Sequence, residues 1–136
     1  MAKKLLVVDD DTIFRQMLIE ILSSQGFEIL EARDGEEGLE QFKKAGPDLV
    51  VITDIRMPKK NGFQMAQDIH ALSPATPIIF ISGWYDPGKI YAGKGIEPLP
   101  TKNKSPHIYF LKKPFRISQL ISLIDETAFA AQAHVA

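Results

Sequence analysis

The sequence contains no cysteine. That removes disulfides, thiolate catalysis and zinc–thiolate centres together, and it fits a cytoplasmic protein. Charge of one sign is lacking too: 16 lysines and arginines face 17 aspartates and glutamates. So even a balance points to no general nucleic-acid or membrane surface, and direct contact with either is not expected. No stretch approaches the roughly 18 consecutive apolar residues of a membrane span. The basic start, Met1-Ala2-Lys3-Lys4, leads only into Leu5-Leu6-Val7-Val8 before three aspartates, which is too little apolar chain for a signal peptide. Internal repeats and low-complexity tracts are absent as well. At 136 residues the expectation is one intracellular domain with a real core. It would span residues 1–131, with 132–136 as a tail or the start of a linker.

What is present is organised around Leu49-Val50-Val51-Ile52-Thr53-Asp54. Its apolar, mostly β-branched run reads as a strand buried on both faces, as in a parallel sheet. Asp54 stands where that strand ends, and open α/β sheets bind ligands at the carboxyl ends of their strands. An aspartate there is also a common turn initiator. The first strand separates the two readings, because Leu5-Leu6-Val7-Val8 runs straight into Asp9-Asp10-Asp11. With both strands parallel and adjacent, several carboxylates converge at one edge. Two of them about 4 Å apart repel by about 4 kcal/mol at an effective dielectric of about 20. Such a cluster calls for a cation. Mg2+ suits it best, since it binds through a few carboxylates plus waters and then recruits phosphate oxygens.

The remaining chain alternates strand and helix. Ile13, Phe14, Met17, Leu18, Ile21 and Leu22 recur at helical spacing and predict a helix with a broad apolar stripe, capped by one of the aspartates and stopped at Gly26. Residues 27–32 predict a second strand and Asp34-Gly35 a turn. A short helix over 36–44 is anchored by Leu39 and Phe42. Beyond Asp54, Met57-Pro58-Lys59-Lys60-Asn61-Gly62 is a loop with a tight Asn-Gly turn. A third helix over 62–72 carries Phe63, Ala66, Ile69 and Leu72 inward. Ile78-Ile79-Phe80-Ile81 is a fourth strand ending in Ser82-Gly83, and residues 107–111 are a fifth ending in Lys112-Lys113-Pro114. A last helix over 117–131 presents Ile117, Leu120, Ile121, Ile124 and Ala128 on one face. Five strands in strand-first alternation predict an α/β domain, a parallel sheet with helices on both faces.

Residues 84–106 break that pattern. Pro87, Gly88, Gly93, Gly95, Pro98, Pro100 and Pro106 forbid a helix of ordinary length. A long irregular loop with at most one helical turn is expected there, and with the last helix it offers a surface for a homodimer.

On these residues the chain resembles the receiver domain of two-component response regulators, along nearly its whole length. The resemblance rests on Asp9-Asp10, Asp54, Met57-Pro58 with Asn61-Gly62, Ser82-Gly83 and Lys113-Pro114. Each is weak alone, but together, in order and at strand ends, they are specific. The resemblance implies a flavodoxin-like strand order, 2-1-3-4-5, with the usual fourth helix degenerate or replaced by an irregular loop. It also implies that Asp54 is the nucleophile that accepts a phosphoryl group from a phosphohistidine, on a histidine kinase or phosphotransfer protein. Asp9, Asp10, Asp54 and the backbone carbonyl of Arg56 would hold Mg2+. Lys113, joined to Pro114 by a cis bond, would set its charge against the phosphoryl oxygens. Ser82 would hydrogen-bond the new phosphoryl group, and Phe110 stands where the family has its switching aromatic. Such a protein is a phosphorelay signalling domain that switches an interaction surface, and no enzyme beyond the self-catalysed phosphorylation and dephosphorylation of its own aspartate.

Plainer roles compete at several positions. Asp11 reads as a helix cap, Lys112 as solvated, and His70, His107 and His134 as surface or packing residues. Three rival functions compete as well. Gly88 to Lys94 satisfies the P-loop pattern, but Gly95 replaces the required Ser or Thr, and Pro98 and Pro100 forbid the following helix. An aspartyl-phosphate hydrolase of the haloacid-dehalogenase type needs a second acid two residues after the nucleophile, where this chain has Arg56. A pseudo-receiver, serving only as a docking or dimerisation module, is disfavoured by the full set of acids, hydroxyl and lysine.

Overall fold

The computed structural model describes residues 4–83 and 107–135, with side chains up to residue 127. Its elements are β1 (Lys4–Val8), α1 (Thr12–Ser24), β2 (Glu28–Ala32), α2 (Gly35–Ala45), β3 (Val50–Asp54), α3 (Gly62–Leu72), β4 (Ile78–Ser82), β5 (Ile108–Lys112) and α4 (Ile117–Val135). The strands form one parallel sheet in the order β2-β1-β3-β4-β5, the order that the family resemblance implies. The most apolar strands take the middle. β1, β3 and β4 are buried along almost their whole length, whereas β2, at one edge, exposes Glu28 and Glu31. A polar edge strand limits pairing with another chain.

Alternation along each strand divides the core into two layers. Leu6, Val8, Val51, Ile78 and Phe80 pack with Phe42 of α2 and Phe63, Met65 and Ile69 of α3. Leu5, Val7, Ile52, Ile79 and Ile81 pack on the other face with Leu18 and Leu22 of α1 and Leu120 and Ile124 of α4. Right-handed crossovers require this split: a chain that leaves β1 in one direction and β3 in the other must place its helices on opposite faces.

The helix starts are set locally. Asp11 accepts the Phe14 N–H at 3.1 Å, as its reading as a cap requires, and Asp34 accepts that of Glu37 at 2.9 Å. Asn61 and Gln64 close a reciprocal capping box at α3. Asp34-Gly35 is therefore the start of α2 rather than a separate turn. Gly26, with φ of 94°, follows the end of α1 as expected.

Two apolar stripes are narrower than their spacing predicts. Ile13 is 83% exposed and Met17 46%. Ile13 lies five residues before the buried Leu18, about 140° round the helix, beyond what one sheet face covers. Arg15 is buried in their place. Leu72, at the last turn of α3, is exposed instead of inward. The expected irregular loop and homodimer surface at 84–106 lie outside the described residues. Among the described residues no helix is long and apolar enough to cross a membrane.

Candidate functional site

Val8 of β1 stands level with Thr53 of β3, so the next residues, Asp9 and Asp54, leave the sheet side by side. From β1 the chain crosses to one side of the sheet and from β3 to the other, which opens a crevice at this edge. Asp10 follows at its rim. Carboxylate oxygens of Asp9, Asp10 and Asp54 lie within 4.8 Å of one another. Asp9 is buried, Asp54 half-buried and Asp10 exposed, so the three acids run from floor to mouth.

Backbone donors hold the two inner acids. The Asp11 N–H donates to Asp9 Oδ1 at 2.9 Å, and the Ile55 N–H to Asp54 Oδ1 at 2.8 Å. Burial nevertheless pushes the Asp9 carboxyl from 3.8 up to about 6; the Asp11 N–H opposes the rise, and the Asp54 charge adds to it. Asp54 is raised as well, by burial first, against the pull of the Ile55 N–H and the Lys113 ammonium. The donor set is all carboxylate, with no histidine or sulfur, at a spacing one small ion can bridge. It fits a hard divalent cation such as Mg2+.

The strain at Asp9 has a measurable sign. An acid whose folded pKa is raised favours the protonated state on folding. It therefore destabilises the fold above about pH 6, and that penalty fades as pH falls from about 6 toward 3.8. In the absence of metal, Asp9→Asn is expected to stabilise the fold at pH 7.5 by about 2 kcal/mol, with the gap closing toward pH 4. Urea unfolding in EDTA at the two pH values measures it. A variant less stable than wild type at pH 7.5 would contradict the account.

Lys113 reaches the same crevice from the end of β5. Its N–H donates to the Ser82 carbonyl at 3.0 Å, and its bond to Pro114 is cis. Its Nζ lies 3.9 Å from Asp9 Oδ2 and 3.9 Å from the centroid of the Phe14 ring. Ser82 is buried at the end of β4, one position past Ile81, the partner of Asp54 across the ladder. Arg56 stands on the exposed stretch two residues beyond Asp54. The acids and the lysine thus converge, and Ser82 ends the neighbouring strand. Phe110 is 40% exposed and stacks on Phe80, ring centroids 5.3 Å apart. Lys112 is exposed, as alternation along β5 requires. His70, bonded to the Thr76 carbonyl, and His107 both lie at the amino-terminal edge of the sheet, away from the acids.

Four supporting residues make contacts that the sequence does not show. Arg15 donates to the Asp9 carbonyl at 2.7 Å and to Glu31 at 3.1 Å, and Gln16 bonds the same Glu31 oxygen. It clamps the turn behind Asp9, and an arginine at helical spacing gives no hint of that. Gly62 packs against the backbone of Asp54: a Cβ there would lie 2.3 Å from the Asp54 carbonyl oxygen. Gly35 packs equally close to Lys60, and its N–H donates to the Lys60 carbonyl at 3.0 Å. Asn-Gly and Asp-Gly signal tight backbone but not what it touches. The fourth is Phe14, which sequence reasoning placed only in the core stripe.

Comparison with known proteins agrees with this geometry. The family profile described as the response regulator receiver domain matches residues 5–125. The chain is 31% identical over 129 residues to the chemotaxis protein CheY of Thermotoga maritima, covering 94% of this chain and 99% of that protein. CheY of Bacillus subtilis is 30% identical over 128 residues, covering 93% and 98%. Among solved structures, a response regulator receiver domain protein from Clostridium thermocellum superposes with a TM-score of 0.80 at 26% identity, covering 96% of this chain and 98% of that one. CheY4 of Vibrio cholerae, crystallised at low pH, gives a TM-score of 0.76 at 28% identity, covering 93% and 99%.

Proposed function

Because the chain belongs to the response regulator receiver domain family, we propose that it accepts a phosphoryl group onto the Asp54 carboxylate, in a Mg2+-dependent reaction, from a histidine kinase or phosphotransfer protein. The observation that carries this reading is the convergence of Asp9, Asp10 and Asp54, with the Lys113 ammonium 3.9 Å from Asp9. An Asp54 oxygen attacks the phosphorus of the phosphohistidine. The P–N bond breaks, and the leaving imidazole nitrogen takes a proton from solvent water. Burial that raises the Asp54 pKa also keeps its oxygen basic, which favours attack. Asp9, Asp10, Asp54 and the Arg56 carbonyl would hold the ion, whose chemistry is to neutralise charge on the transferring oxygens. Lys113 sets its ammonium against those oxygens, as a point charge rather than a fork. The buried Ser82 hydroxyl donates to the new phosphoryl group. Its displacement carries the change along β4 to the exposed β5 edge, where Phe110 stacks.

Intact mass tests the reading. Incubation with acetyl phosphate and Mg2+ is expected to add one phosphoryl group, and incubation in EDTA none. Equal gain in EDTA would remove the metal from the reaction. No gain under either condition would leave the chain a docking module. Turnover of p-nitrophenyl phosphate would point to a hydrolase instead.

A further inference from the structure

Phe14 has no part in that chemistry, yet its ring is the surface on which the Lys113 ammonium rests. The Nζ lies 3.9 Å from the ring centroid, and the ring itself is braced edge-on by Phe115, with centroids 6.4 Å apart at 90°. Phe14 lies in the first turn of α1, which starts directly after the acid turn. Phe115 follows Lys113 and Pro114. Two segments far apart in sequence thus form a wall on one side of the crevice, and the lysine stem runs over it with its side chain 29% exposed.

From this contact we infer that Phe14 is a positioning residue for phosphoryl transfer, its ring face holding the Lys113 ammonium at the mouth of the acid crevice. The inference rests on the reading of Lys113 as the charge partner of the phosphoryl oxygens. A lysine has four rotatable bonds and loses much freedom when fixed. Among the described residues, the carboxylate it pairs with is Asp9, at 3.9 Å. A divalent cation competes for that same carboxylate and repels the ammonium. An aromatic face attracts a cation without being an anion, so it continues to hold Lys113 when Asp9 is committed to metal. The ordering of the lysine is then in place before the phosphoryl group arrives, which is the kind of arrangement that speeds transfer. A leucine of similar apolar bulk would fill the space against Phe115 and lack the face.

The test uses the whole chain with acetyl phosphate at saturating Mg2+, and follows phosphorylation by intact mass over time. Phe14→Leu is expected to slow phosphorylation about fivefold, equivalent to about 1 kcal/mol, and Phe14→Tyr to stay within about twofold of wild type. In a Lys113→Ala background, Phe14→Leu is expected to have no further effect. A second readout needs no phosphodonor. The ε-methylene protons of Lys113 should resonate upfield under the ring current, move downfield in Phe14→Leu and stay upfield in Phe14→Tyr. Wild-type speed for Phe14→Leu, equal slowing in the Lys113→Ala background, or an unmoved lysine resonance would each overturn the inference. If Lys113→Ala itself phosphorylates at the wild-type rate, the role given to Lys113 falls and this inference falls with it. If Lys113→Ala is slow but Phe14→Leu is not, only the inference falls.

Discussion

Asp54→Asn is expected to leave the protein folded and unable to gain any phosphoryl group from acetyl phosphate. The amide is nearly isosteric, and its oxygen can still accept the Ile55 N–H that now reaches Asp54 Oδ1 at 2.8 Å. What disappears is the charged, basic oxygen proposed above as the nucleophile. Because burial raises the Asp54 pKa, a neutral side chain there also removes a desolvation cost, so the metal-free fold should be no less stable than wild type. Affinity for Mg2+ should fall, since the cluster loses one of its three carboxylates. Intact mass at saturating acetyl phosphate, beside circular dichroism and a Mg2+ titration, checks all three expectations. A variant that gained a phosphoryl group as fully as wild type would move the acceptor to another residue.

Gly62→Ala should cost about 3 kcal/mol of stability, from overpacking together with a lost hydrogen bond. Its Cβ would sit 2.3 Å from the Asp54 carbonyl oxygen, 3.1 Å from Ile55 Cα and 3.2 Å from the Asp54 carbonyl carbon. All three are backbone atoms of the strand end, so no side chain can swing aside. Relief requires the loop to back away, which stretches the 2.8 Å bond from the Gly62 N–H to the Ile55 carbonyl, or the strand end to move, which displaces Asp54. Both routes also disturb the acid crevice. Mg2+ affinity should therefore drop alongside stability, although Gly62 carries no ligand atom. Urea unfolding and Mg2+ titration of the same variant measure the two effects. A stable variant with wild-type affinity would mean that the close approach is not rigid.

The parallel sheet is legible because the signals are local and repeated: β-branched runs, each ending in a polar residue, with helices between; its strand order is not local, and the expectation of it rests on the family resemblance. The acid cluster is legible for the same reason, since a strand end is a place the sequence marks, whereas the expectation for Lys113 rests on the family resemblance. The faces of α1 were less so. Periodicity identifies an apolar stripe but not how much of it the sheet covers, so Ile13 and Met17 were assigned to a core that stops at Leu18 and Leu22. Arg15 was hidden for the converse reason. A guanidinium can be buried when its edges find acceptors, and those acceptors, the Asp9 carbonyl and Glu31, come from other elements. The contact between Phe14 and Lys113 joins opposite ends of the chain, and one-dimensional spacing carries no trace of it.

The Asn61-Gly62 pair has a consequence for how the molecule ages. In an unstructured chain Asn-Gly is among the fastest dipeptides to deamidate, because the glycine nitrogen can approach the asparagine side-chain carbon and close a succinimide ring. In the fold, the Asn61 side chain is held over the first turn of α3 by the Gln64 N–H at 2.9 Å. The attacking nitrogen keeps its proton on the Ile55 carbonyl at 2.8 Å. Both reactants are tied down in a geometry that does not lead to the ring. Deamidated or isoaspartyl product at this position therefore accumulates from molecules that have opened at the start of α3, and its level in a stored sample records how long that turn has spent undone.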